Sequence, residues 1–129
     1  MATTCKPDKV WNMVLDQAGR YTYLIEYKHK KTGAPLPFNG AALIFQVREN
    51  ATDAAALIDA RDTTITGSRI EVIDDALGTA RLIIEGASTK DINLRAHLEQ
   101  DFLMVPTGQT SGKFLFGGSF KLKTTQSRI

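Results

Sequence analysis

Between Lys113 and Lys123 the sequence KFLFGGSFKLK sets Phe114, Phe116, Phe120 and Leu122 against Lys113, Ser119, Lys121 and Lys123. That period of two predicts a β-strand with one buried face, interrupted on its polar side by Leu115. A helix would scatter the lysines among the phenylalanines and place Gly117-Gly118 in its interior, at a cost of about 1 kcal/mol per glycine relative to alanine. In a strand the paired glycines instead predict a bulge or sharp bend.

The same pattern recurs along the chain. Val10 to Leu15 is a short apolar strand with the single tryptophan, Trp11, and Asp16-Gln17-Ala18-Gly19 is its turn. From Arg20 to Lys28, Tyr21, Tyr23, Ile25 and Tyr27 alternate with Arg20, Thr22, Glu26 and Lys28, and Leu24 breaks the polar side. A basic loop with Pro35 and Pro37 follows, then a central strand over Ala41 to Arg48. Residues 49–56 are expected to be irregular, with a weak strand from Leu57 to Arg61. Ser68 to Gly86 predicts a hairpin turning at 74–78, with Ile83 on its polar side. Ser88-Thr89-Lys90-Asp91 predicts a short helix over about 88–94, with Ser88 as its cap. A strand over Ala96 to Val105 then leads into the last one, with Glu99 and Asp101 expected opposite Lys121 and Lys123.

Seven or eight short strands without a long amphipathic helix predict an all-β, Ig-like antiparallel sandwich, with a small barrel as the alternative. Parallel α/β folds need crossover helices that this pattern lacks. With 129 residues the chain fits one domain, read here as a flexible arm over 1–9, a sandwich over 10–124 and a tail over 125–129. There is no apolar run of membrane-spanning length and no N-terminal signal pattern, so neither membrane insertion nor export is expected. One cysteine, Cys5, forms no internal disulfide, and a net charge of +2 is too small to argue for nucleic acid.

Three groups of residues have a spacing that is similar to a known family. They are the turn Asp16 to Gly19; the segment Gly33-Ala34-Pro35-Leu36-Pro37-Phe38-Asn39-Gly40 with the strand ending Gln46-Val47-Arg48; and Gly78 to Ile84 followed by Ser88 to Ile92. Together they resemble the small β-sandwich modules of tailed-bacteriophage virions, found in baseplate upper proteins and related tail proteins, over roughly Asp16 to Thr124. The resemblance implies an Ig-like sandwich with a non-enzymatic structural role in a virion, made in the host cytoplasm and acting through contacts with other virion proteins or symmetric copies of itself. The chain departs from the family pattern at Phe38-Asn39 and at Asp101-Phe102-Leu103. A binding module for host-surface glycan or protein, and a capsid decoration protein, are the alternatives.

Candidate chemistry is sparse. Cys5 with His29 or His97 lacks the surrounding motif that nucleophilic catalysis needs, so no enzyme activity and no cofactor are expected. Asp59, Asp62, Asp74 and Asp75 lack the spacing of a calcium loop, and no paired Cys/His spacing suggests zinc. Asn50-Ala51-Thr52 matches a glycosylation acceptor without a secretory signal. The basic cluster Lys28, His29, Lys30 and Lys31 reads as a charged loop tip rather than a nucleic-acid patch. The tyrosines at 21, 23 and 27 read as packing residues rather than a stacking platform. The remaining candidates are the apolar residues that spoil clean strands. At least two of Leu24, Ile83 and Leu115 are expected to adjoin on the outer face and be covered by another subunit, rimmed by Arg81, Glu85 and Lys121.

Overall fold

Burial follows the alternation. In the computed structural model, which describes residues 2–5, 9–29, 31–49, 56–92, 98–109 and 112–123, the strand Ala42–Arg48 buries Leu43, Phe45 and Val47 completely and leaves the residues between them partly open. The described strands are β1 (Ala2–Cys5), β2 (Lys9–Val10), β3 (Met13–Asp16), β4 (Tyr21–Tyr27), β5 (Ala42–Arg48), β6 (Ile58–Arg61), β7 (Arg69–Asp74), β8 (Thr79–Ile84), β9 (Leu98–Val105) and β10 (Lys113–Lys123). One helical turn, α1 (Gly86–Thr89), lies between β8 and β9.

One sheet has the order β1-β4-β8-β7; the other runs β2-β10-β9-β5-β6, with β3 also on β10. Strands β4, β8 and β7 facing β10, β9 and β5 reproduce the immunoglobulin-like arrangement, with β6 as an added strand. The order departs from that plan at the N-terminus, where β1 lies parallel to β4.

Between the sheets Phe45, Phe102, Phe116 and Phe120 are fully buried. Phe102 stacks on Phe116 at 5.1 Å, and Trp11 meets Tyr23 of one sheet and Phe116 of the other edge-on at 5.0 and 5.2 Å. Such aromatic pairs add about 0.5–1.5 kcal/mol each beyond their area, so Trp11 ties the layers together although it is only partly buried.

Several expectations are corrected. Within the segment read as an arm, Ala2–Cys5 forms the edge strand of the four-stranded sheet through backbone pairing with Leu24 to Tyr27, which requires no apolar side chains. The strand expected over 10–15 is broken at Trp11-Asn12, where Trp11 N donates to Gly117 O and Asn12 Oδ1 accepts from Ser119 N. There Gly118 is required by close approach, because a Cβ on it would lie 2.7 Å from Trp11 O. The bulge in β10 falls between Phe114 and Phe116, ahead of the glycines. Glu99 and Asp101 face Ser119 and Gly117, not the lysines.

Helix α1 begins two residues early, and Glu85 precedes it without a side-chain cap. Ser88 is turned to Ser68 instead, Oγ to Oγ at 2.5 Å. The expectations for Lys30, Asn50, His97, the tail after Lys123 and most of the irregular 49–56 segment lie outside the described residues.

Candidate functional site

Two loop clasps close the ends of the four-stranded sheet. At one end the turn after β3 needs a left-handed residue, Ala18 at φ 64°, which aims its backbone at α1. Ala18 N donates to Thr89 Oγ1 at 2.9 Å, and Gln17 Nε2 donates to the carbonyls of Thr89, Lys90 and Ile92 at 3.1, 3.1 and 2.7 Å. The carbonyls that any helix leaves unpaired at its C-terminal end are thus satisfied from another part of the chain. Gly86 fits against this turn only because it lacks a side chain, since a Cβ would sit 2.2 Å from Ala18 O.

At the other end Asp75 receives Asn39 N and Gly40 N at 3.0 and 2.9 Å, while Phe38 N donates to Asp75 O. Gly78 adopts φ 61° against Leu36 O, and its own carbonyl accepts from Tyr27 N. Of the segments that carry the family resemblance, 16–19 therefore meets 88–92, and Leu36 meets Gly78, while Asp75 lies outside them.

Of the expected interface residues, Leu24 and Ile83 are diagonal neighbours on β4 and β8, and Leu115 lies apart from them. Leu24, Ile83 and Arg81 belong to the four-stranded sheet and Glu85 directly follows β8, whereas Leu115 and Lys121 belong to the other sheet. Leu115 is fully buried because the bulge beside it inserts an extra residue, allowing both Leu115 and Phe116 to enter the core. Ile83 faces outward yet is only 2% exposed. It lies between Thr22 and Arg69 on the adjacent strands, with Arg81 and Glu85 two residues away on its own, so long charged side chains ring it. Leu24 is half-buried, while Arg81 and Lys121 are exposed.

That ring is an ion-pair ladder. Arg20 Nε reaches Glu85 at 2.8 Å, Arg69 reaches Glu85 and Glu71 at 3.1 and 3.2 Å, and Arg81 reaches Glu71 at 3.3 Å. Hydrogen bonds from Arg69, then Arg20, hold the Glu85 carboxyl below its ordinary value.

The other candidates are occupied locally. Asp59 is bonded to Arg61 and Gln46, Asp62 accepts from Leu43 N, and Asp74 accepts from Leu77 N. Among the described residues no three His, Cys, Asp or Glu side chains gather as metal ligands. His29 Nδ1 accepts from Lys31 N at 3.2 Å and so shapes the basic loop. Tyr23 and Tyr27 are buried, Tyr27 stacking on Phe38, and burial raises the Tyr23 hydroxyl above its ordinary value.

An open cleft of about 490 Å³ crosses the outer face of the five-strand path where Gly117 and Gly118 leave β10 without side chains. Its walls are Val10 on one side and Gln46, Arg48, Glu99 and Asp101 on the other, with Ser119 at one end. Gln46 faces Asp101 across β5 and β9, and Arg48 faces Glu99. The guanidinium of Arg48 donates to Gln46 Oε1, leaving Arg48 Nε and Asp101 Oδ1 shielded from solvent and without a hydrogen-bond partner. Burial pushes the Asp101 carboxyl above its ordinary value, and the nearby Arg48 charge opposes that shift. The alternation sets Asp101 opposite the lysines of the last strand and does not reveal this group. The signal was Gln46 and Arg48 on the polar side of a central strand, with glycines where the neighbouring strand should fill the space.

No protein-family model matches this chain, and no curated protein matches it. Among solved structures the chain is similar to the N-terminal domain of phage TP901-1 ORF48, with 12% identity and a TM-score of 0.47 over 95% of this chain and 98% of that one.

Proposed function

We propose that this protein is a non-enzymatic structural component of a tailed-phage virion, placed in the tail or baseplate and acting through contacts with other virion proteins or symmetric copies of itself. The observation that carries this reading is the bonding of two family-like segments, 16–19 and 88–92, in the first loop clasp. Gln17 and Ala18, in one family-like segment, bond to Thr89, Lys90 and Ile92, in another; at the opposite end Leu36 and Gly78 lie against each other, while the bonds to Asn39 and Gly40 come from Asp75, outside the resemblance. A spacing that arose only from generic turn chemistry has no reason to select mutually bonded loops. Contacts with neighbouring subunits would use the edge of the four-stranded sheet, where Val72, Ile73 and Leu77 are exposed.

The test is an inventory of the purified particle. Mass spectrometry should find the chain at a fixed copy number, and antibody labelling should place it at the tail end. Its absence from particles, or a variable substoichiometric amount, would remove the proposal.

A further inference from the structure

The cleft over Gly117 and Gly118 carries a charge arrangement that the loop clasps and the core leave unexplained. Arg48 and Asp101 are diagonal neighbours on adjacent strands and have opposite charge, yet they form no ion pair. Each retains one hydrogen-bonding atom that is shielded from solvent and has no partner. The carboxylate torsion of an aspartate is broad and soft, so Oδ1 can swing into the cleft at little cost.

Ligand charge decides what fits. A cation would satisfy Asp101 and Glu99 but be repelled by Arg48, and an anion would do the reverse. A pair of neighbouring hydroxyls can donate to the carboxylate while accepting from the guanidinium, and a neutral molecule brings no charge to desolvate. Val10, 72% exposed, and the bare glycine backbone offer apolar surface to the C–H face of a ring. The volume of about 490 Å³ lies within the range of small-ligand sites.

We propose that this cleft binds a neutral saccharide unit, with Asp101 and Arg48 as the paired acceptor and donor for vicinal hydroxyls and Gly117-Gly118 as the floor. No aromatic side chain lines the cleft among the described residues, so the affinity for a single sugar unit is expected in the millimolar range.

The full-length chain, labelled with ¹⁵N, is titrated separately with D-glucose, D-galactose, L-rhamnose and N-acetyl-D-glucosamine, and with L-arginine and sodium acetate as charged probes. At least one sugar should give saturable amide shifts centred on Asp101, Gly117, Gly118 and Ser119. Ser119→Trp, at an exposed position that fills the cleft without touching the core, should weaken that binding by about tenfold or more, and so should Arg48→Met. Thermal melting establishes that each variant is folded; should Arg48→Met fail to fold, Ser119→Trp decides. The proposal is overturned if none of the sugars gives saturable shifts there, if arginine or acetate alone does, or if binding survives unchanged in Ser119→Trp.

Discussion

Leu115 and Leu24 show how one residue's position is set by its neighbours rather than by its own strand's alternation. Both interrupt a polar face, but Leu115 is fully buried beside a bulge and Leu24 is half-buried on a regular strand. Leu115→Ala is therefore expected to lose about 2–5 kcal/mol, the range for a buried leucine that leaves a cavity, whereas Leu24→Ala should lose less than about 1 kcal/mol. Urea denaturation of the two variants measures the difference directly, and equal losses would contradict the bulge as the cause. Asp101 offers a second test at this scale. A carboxyl whose folded value is raised binds its proton more tightly when folded, so its stabilising contribution is present in acid, below the unfolded value, and is lost as pH rises through the folded value. Its ionised form is thus a net cost at neutral pH. Asp101→Asn should raise the urea midpoint at neutral pH, with the gain disappearing in acid where the native side chain is already protonated. A lower midpoint at neutral pH would mean that the Arg48 charge outweighs burial.

Elements here are held in place by backbone contacts at their ends. Helix α1 is a single turn, far too short to persist alone, and it exists because Gln17 and Ala18 bind it. Gly86→Ala would push a methyl group into Ala18 O, so either the turn or the helix must move. The expected loss is about 1–3 kcal/mol, the usual cost of overpacking. Gln17→Ala removes the amide that serves three carbonyls and should lose about 1–3 kcal/mol by leaving partly buried acceptors unsatisfied. Chemical denaturation of both variants checks this, and combining them should lose less than the sum, because both act on one contact. Strand β1 illustrates the same dependence: its residues carry little apolar pattern, and its place follows from the backbone edge that β4 offers.

For the whole molecule, Trp11 makes a convenient reporter, since it touches Tyr23 in one sheet and Phe116 in the other. If the two sheets share one cooperative core, as expected for a single domain of this size, tryptophan fluorescence and far-ultraviolet circular dichroism should give coincident denaturation curves. An earlier fluorescence transition would mean that the sheets part before their strands melt.

Alternation of apolar and polar residues by itself determined the all-β class and most strands, including β4, β5, β8 and β10, because a strand with one buried face must repeat every second residue. It also determined the turn at 16–19 and the hairpin at 74–78, where residue chemistry restricts the backbone. Tertiary structure alone decided what depends on partners distant in the chain: the register that sets Asp101 against Gly117, the bulge that buries Leu115, the ion-pair ring around Ile83, and the docking that moves the helix to Gly86. The cleft belongs to that second group. Its residues come from β2, β5, β9 and β10, and no local pattern can express a cavity formed where one strand lacks side chains beside the charges of another.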